Sequence, residues 1–218
     1  MNGIEFIQQV ALWAIPSIYA ITMHEATHGW VASKLGDKSA FMMGRVSLSP
    51  FRHIDPVGTI IVPLALLFLG GVLFGWAKPV PINEHALKNP KRDIVLVALA
   101  GPMANFLMAI LWALCLKFSL YLQGIGFEYY MIVYSMSQIG IIINVVIGLF
   151  NLIPIPPLDG SKIIYSLLNK RAKFFYSRIE PFGLIIIVAL LVSGILSSAL
   201  GPLIKAAYQF IYDIAFNL

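Results

Sequence analysis

FIQQVALWAIPSIYAITMHEATHGWVAS, residues 6–33, is a long apolar run with an H-E-x-x-H motif, His24 to His28, set inside it. No charged residue interrupts residues 6–23, and the run resumes directly after the motif. On a helix, residues four apart share a face, so His24 and His28 can offer ring nitrogens to one metal ion. Glu25, beside the first of them, is placed to take a proton from a water that the metal has acidified. Two imidazoles and a carboxylate are costly in hydrocarbon, so a membrane segment that carries all three needs a reason. A metal centre with an adjacent base supplies one. The plainer alternative is an accidental match, three polar groups satisfied within a helix bundle.

Composition sets the class. Hydrophobic residues make up 59% of the chain and charged residues 11%, with a mean hydropathy of +0.85, whereas soluble domains carry about a quarter charged residues. Charge-free windows run over 6–23, 56–77, 94–116, 129–158 and 181–204, against the roughly 20 apolar residues that a helical span requires. The expected fold is all-α membrane, a polytopic helical bundle of about 4–6 transmembrane segments. One integral-membrane domain is expected over 1–218, leaving no room for a separate soluble module. A net charge of +5 and a pI near 9.3 need no nucleic-acid partner, since basic excess in a membrane protein marks cytoplasmic loops. The single cysteine, Cys115, sits in an apolar run and reads as a small buried hydrophobe rather than part of a metal site.

Flanking charge orients the chain. Glu5 precedes the first segment with no Lys or Arg before it, while Lys34 and Lys38 follow. The segment is therefore expected to be retained rather than cleaved as a signal peptide, with the N-terminus outside and the end of the first helix in the cytoplasm. If the window 56–77 dips into the membrane and returns, thirteen of the fifteen basic residues lie on the cytoplasmic side, all but Lys117 and Lys205. A simple crossing splits them six against nine, a weak bias. Charge thus favours a re-entrant second segment, with Pro63 and Gly70-Gly71 as bend points, although the window is also long enough to cross. Gly36 is expected to close the first helix. Residues 41–49 (FMMGRVSLS) lean towards β-structure, and the proline-bearing stretch 76–90 reads as an extended loop. Residues 203–218 have the spacing of an amphipathic helix lying at the membrane surface.

A zinc hydrolase site uses three protein ligands and keeps a fourth position open. With no other cysteine, the third ligand must be Asp, Glu or His, and Asp159 in NLIPIPPLDG (residues 151–160) is the best candidate. It ends a charge-free window of thirty residues, so it too is an acid at membrane depth. His24 and His28 lie about 15 and 9 Å before Lys34 at helical rise, and Asp159 about 16 Å before Lys170. If both lysines mark the cytoplasmic surface, the three groups share a depth. Pro154, Pro156 and Pro157 cannot sustain a helix, and broken backbone at that depth belongs where it is buried in protein or lines a wet cavity.

The H-E-x-x-H helix followed far downstream by N-x-x-P-x-P-P-L-D-G resembles the site-2 protease family of intramembrane zinc metalloproteases, in its compact prokaryotic branch. Gly101-Pro102-Met103-Ala104-Asn105 is similar to that family's G-P-x-x-N motif, and the resemblance covers residues 10–170 in the expected order. It implies a helical core over about 10–170 with one proline-broken helix; beyond it the chain's own pattern gives transmembrane and amphipathic helices over about 178–218. It implies one Zn2+ per chain on His24, His28 and Asp159, with Glu25 as general base. Asn151 matches the family's asparagine that handles the substrate backbone. The implied activity is cleavage of transmembrane protein substrates within the lipid bilayer of a prokaryotic plasma membrane. Oligomeric state is left open.

Asn105 alone reads as a hydrogen bond between helices, and Gly101 as a close-packing position. His53 and Asp55 read as interfacial anchors, with a second metal or substrate contact as the alternative, and His85 as a solvated loop residue. The stretch 51–58 (FRHIDPVG) is also familiar from that branch, without a role that its residues reveal. Two other functions remain: a metal-ion transporter or non-proteolytic metal-binding membrane protein, and a non-proteolytic relative that holds transmembrane helices. Neither explains why Glu25 stands beside the candidate ligands.

Overall fold

In a computed structural model, which describes residues 3–62 and 75–217, the opening apolar run forms one helix, α1 (Gly3–Leu35). Its 33 residues correspond to about 50 Å at helical rise, and it ends as expected on Gly36, whose φ of +121° suits glycine. A four-residue helix follows, α2 (Ser39–Met42). The β-leaning expectation for 41–49 fails here: α2 takes up its first residues, and turns and bends take the rest. Val46 does pack inward against Gly29, but a ladder needs a second backbone edge, and no strand exists among the described residues.

The two ends of the second apolar window lie side by side. Trp76 N–H donates to Gly58 O at 3.0 Å, Lys78 N–H to His53 O at 2.9 Å, and Thr59 Oγ1 to Trp76 O at 2.9 Å. Residues 58 and 76 are therefore neighbours, whereas a straight helix between them would part them by about 27 Å. The window leaves through a single π-helical turn (Pro56–Ile61), capped by Asp55, which accepts from the N–H groups of Val57 and Gly58. The candidate bend points Pro63 and Gly70-Gly71 lie outside the described residues. Residues 75–83 are an extended loop, as their prolines require.

The centre of the bundle is α3 (Pro90–Gly124), which packs on α1 and on α4 (Tyr130–Asn151). After α4 the prolines break the helix, and the chain restarts as α5 (Asp159–Leu167), α6 (Lys170–Ile179), α7 (Gly183–Val192) and α8 (Ile195–Asn217). Among the described residues, three runs, Pro90–Gly124, Tyr130–Asn151 and Lys170–Val192, are long and apolar enough to cross a membrane. Ala109, Ala113 and Leu116 of α3 close on Ile141 and Val145 of α4 and on Ile211 and Ala215 of α8. Small residues let these backbones approach, the packing mode available where lipid is as apolar as leucine. The end of the chain thus buries Ile211 and Ala215 against protein, where its sequence spacing suggested a helix lying on the membrane surface. Large apolar side chains such as Trp13, Leu107, Phe118 and Ile185 stay on the outside of the bundle, the inverse of a soluble domain and the surface that hydrocarbon accepts.

Candidate metal centre

The helical period of α1 puts His24 and His28 on one buried face, and the restart of the broken helix at Asp159 brings its carboxylate against them. His24 Nε2, His28 Nε2 and Asp159 Oδ2 form a triangle with every side 3.0 Å. All three side chains are buried, at 5%, 3% and 5% exposure. Gly160 follows because a Cβ there would meet the carbonyls of Leu152 and Ile153, so the proline-broken backbone can lie directly behind Asp159 only if the next residue has no side chain.

One stripe of α3 fixes both imidazoles. Val97, Gly101 and Asn105 are spaced by four and share a face. Asn105 is fully buried, and its amide nitrogen donates to Ala20 O at 3.1 Å and to Asn144 Oδ1 at 3.0 Å. Its Oδ1 therefore faces His24 Nδ1, 2.7 Å away, and that nitrogen carries the proton. His28 Nδ1 lies 2.6 Å from Val97 O, which can only accept, so it too is the protonated nitrogen. Both Nε2 lone pairs are thereby turned towards Asp159. Three electron pairs converge in a buried space with no imidazole proton between them, an arrangement that a cation relieves. Two neutral imidazoles and a carboxylate suit zinc, and tetrahedral zinc with bonds near 2.0–2.2 Å spaces its ligands by about 3.3 Å. The donor set and the spacing fit. Gly101 lies between Val97 and Asn105, where a Cβ would collide with His28 Nε2 and with His24 Cε1 and Nε2.

The other oxygen of the aspartate is engaged as well: Lys162 Nζ sits 3.0 Å from Asp159 Oδ1, so Oδ2 is the atom presented to the triangle. Glu25 is half-buried one residue along from His24, and its Oε2 accepts the N–H of Val80 at 2.9 Å. Asn151 ends α4, and its amide donates to Ile147 O of its own helix at 3.0 Å. Asn144 lies on the buried side of α4 as the partner of Asn105. His53 and Asp55 serve the backbone: His53 Nε2 is 2.9 Å from Ser47 O, and Asp55 caps the π-helical turn. His85 is exposed.

Several of these contacts were outside sequence reasoning. The N–H of Val80 and the carbonyl of Val97 are backbone groups that any residue would supply. Lys162 carried a signal, being three residues from Asp159 at the start of a helix. Asn105 does join helices, as its residue type suggests, and it also orients His24. Substituting Asn105→Ala is expected to lower zinc affinity by about 10–100-fold, measured by competition with a chromogenic chelator, while the chain still extracts as a folded monodisperse protein.

Residues 13–194 match the sequence model of peptidase family M50. The chain is 36% identical over 205 residues to the zinc metalloprotease YwhC of Bacillus subtilis, covering 92% of this chain and 89% of the relative. It is 26% identical over 209 residues to the zinc metalloprotease Rip2 of Mycolicibacterium smegmatis, covering 94% and 74%. A shorter match, 34% over 115 residues, joins it to the regulator of sigma-E protease RseP of Escherichia coli, covering 49% and 25%. No solved structure matches significantly. With a family model that takes in most of the chain, a near full-length relative, and apolar helices long enough to span a bilayer, the chain belongs to peptidase family M50, the site-2 proteases, and is an intramembrane zinc metalloprotease.

Proposed function

We propose that His24, His28 and Asp159 hold the zinc, that Glu25 is the general base, and that the substrate is a segment of another membrane protein in or near the bilayer. The observation that carries the assignment is the buried triangle of three acceptor atoms with Glu25 adjoining it. The chemistry that zinc brings to such a site is Lewis acidity, which lowers the pKa of a water towards about 7 and polarises the scissile carbonyl. His24 and His28 hold through Nε2 and Asp159 through Oδ2. Glu25 takes the proton of the attacking water and returns it to the leaving amine. Val80 N–H keeps one carboxylate oxygen of Glu25 in place during both transfers. Asn151 is assigned to the substrate backbone, with its amide released from Ile147 O when substrate enters.

A transmembrane helix hides its carbonyls in its own hydrogen bonds, so the substrate must be unwound before attack. A groove of about 230 Å3 runs between residues 46–48 and the Met23, Ala26 and Trp30 side of α1. It suits an extended chain laid along residues 46–48. Val46→Pro is expected to slow cleavage several-fold without loss of zinc, and unchanged cleavage of a membrane-tethered peptide would remove this route. The bacterial relatives favour a prokaryotic plasma membrane location, and the basic residues favour the N-terminus outside with the site opening to the cytoplasmic half.

The test is zinc content together with cleavage of a model transmembrane peptide in proteoliposomes. The purified chain is expected to carry about one zinc and to cut, to stop on chelation, and to resume when zinc is returned. Zinc with no cleavage, and metal flux across the same vesicles, would favour a transporter instead. Glu25 speaks against that reading, since a passage has no need of a base beside its ligands.

A further inference from the structure

Arg45 and the familiar stretch 51–58 have no part in the reaction as proposed above, yet both are tied to the base through a short chain of contacts. Arg45 is buried, at 7% exposure, and has no carboxylate within ion-pair distance among the described residues. Its Nη2 instead donates to Lys78 O at 2.6 Å and to Pro79 O at 3.4 Å. A guanidinium is costly to desolvate, and holding one on two carbonyls in place of a carboxylate calls for a purpose beyond packing.

We infer that Arg45 is a positioning residue for Glu25, acting through the Pro79–Val80 peptide. This rests on Glu25 being the general base. A trans peptide unit is planar, so its C=O and N–H point in opposite directions. Arg45, held at 2.6 Å on Lys78 O, reaches the Pro79 carbonyl at 3.4 Å from one edge of that unit, and the Val80 N–H at the opposite edge donates to Glu25 Oε2. Fixing the first fixes the second, and a cation on the carbonyl strengthens the amide as a donor. Pro79 and Pro81 have no N–H, so Val80 carries the one amide hydrogen in this turn of the loop. The rest of the stretch pins the same segment. His53 O takes the N–H of Lys78, the ring of His53 rests on Ser47 O, and Gly58 O takes the N–H of Trp76. The motif is a clamp, and what it clamps is the strip of backbone that orients the base.

Arg45→Met is expected to lower kcat by roughly 10–100-fold, the cost of a reacting group displaced by about an ångström. KM should stay within about twofold and zinc per chain should be unchanged. Arg45→Lys, which restores a cation, should recover part of the loss. Val80→Pro deletes the N–H, and the double variant Arg45→Met/Val80→Pro should be no slower than Val80→Pro alone, because the two act in series. Wild-type kcat in Arg45→Met, additive losses in the double variant, or loss of zinc that Arg45→Lys does not repair would each overturn the inference. Glu25→Gln, run alongside, separates the two claims. Cleavage by Glu25→Gln means the base is misassigned, whereas a dead Glu25→Gln beside a fully active Arg45→Met removes only the role of Arg45.

Discussion

Glu25→Gln is expected to bind zinc as the wild type does and to lose cleavage by a factor of about 10²–10⁴, the usual share of a positioned general base. The substitution is nearly isosteric, and the amide can still turn its oxygen to the Val80 N–H that lies 2.9 Å from Oε2. What then faces the water is an NH2 group, which has no lone pair for a proton. Neither histidine nor the aspartate is touched, so zinc per chain should stay near one. Elemental analysis of the purified protein and cleavage of a fluorogenic membrane-tethered peptide check both halves. Loss of zinc in this variant would make Glu25 a support of the metal centre rather than its base, and retained cleavage would place the base elsewhere.

The second large effect comes from a methyl group. Gly101→Ala is expected to reduce both zinc affinity and kcat by about 100-fold, because the new Cβ has no space. At its ideal position it lies 2.6 Å from His24 Cε1 and 2.7 Å from His24 Nε2, and closer still to His28 Nε2. These are atoms of the two rings proposed to hold the zinc rather than the ends of flexible side chains, and both rings are held from behind by Asn105 and Val97. Either α3 backs away or the imidazoles turn, and each movement opens the triangle. Zinc competition and steady-state cleavage of the same preparation should fall together. If Gly101→Ala binds zinc normally, α3 is free to shift and does not set the ligand geometry.

How much of this was legible in the sequence follows from where the information resides. His24, Glu25 and His28 declare themselves through helical period and the cost of charge in an apolar run, and Asp159 through the same cost at the end of a charge-free window. The return of the second segment could be inferred from which side the lysines and arginines lie on, and the hydrogen bond from Trp76 to Gly58 accords with it. The β-leaning expectation for 41–49 failed because alternation describes one edge, and a strand is a property of two. The hold of Val80 on Glu25 left no trace because a backbone N–H is the same in every residue but proline. The prolines at 79 and 81 were visible, and they were read as breakers of a helix rather than as the frame around one donor. Gly101 was understood as a packing glycine, correctly as far as it went. Only the structure shows that what packs there is a pair of rings rather than another helix.

Asn144 Nδ2 donates to Gly140 O, and from there the row continues through Asn105 to His24. Each amide in that row could in principle face either way, but its far end is a main-chain carbonyl, which has no choice. The polarity of the row is therefore set by two main-chain carbonyls, Gly140 O at its far end and Ala20 O, which takes the other hydrogen of the Asn105 amide, and it is shared across three helices. His24 inherits its tautomer, and with it the side on which its lone pair appears, from a helix that contributes none of the three converging atoms. The candidate metal centre is thus larger than its three converging atoms, because the sense of its hydrogen bonds is anchored on main-chain carbonyls of two helices.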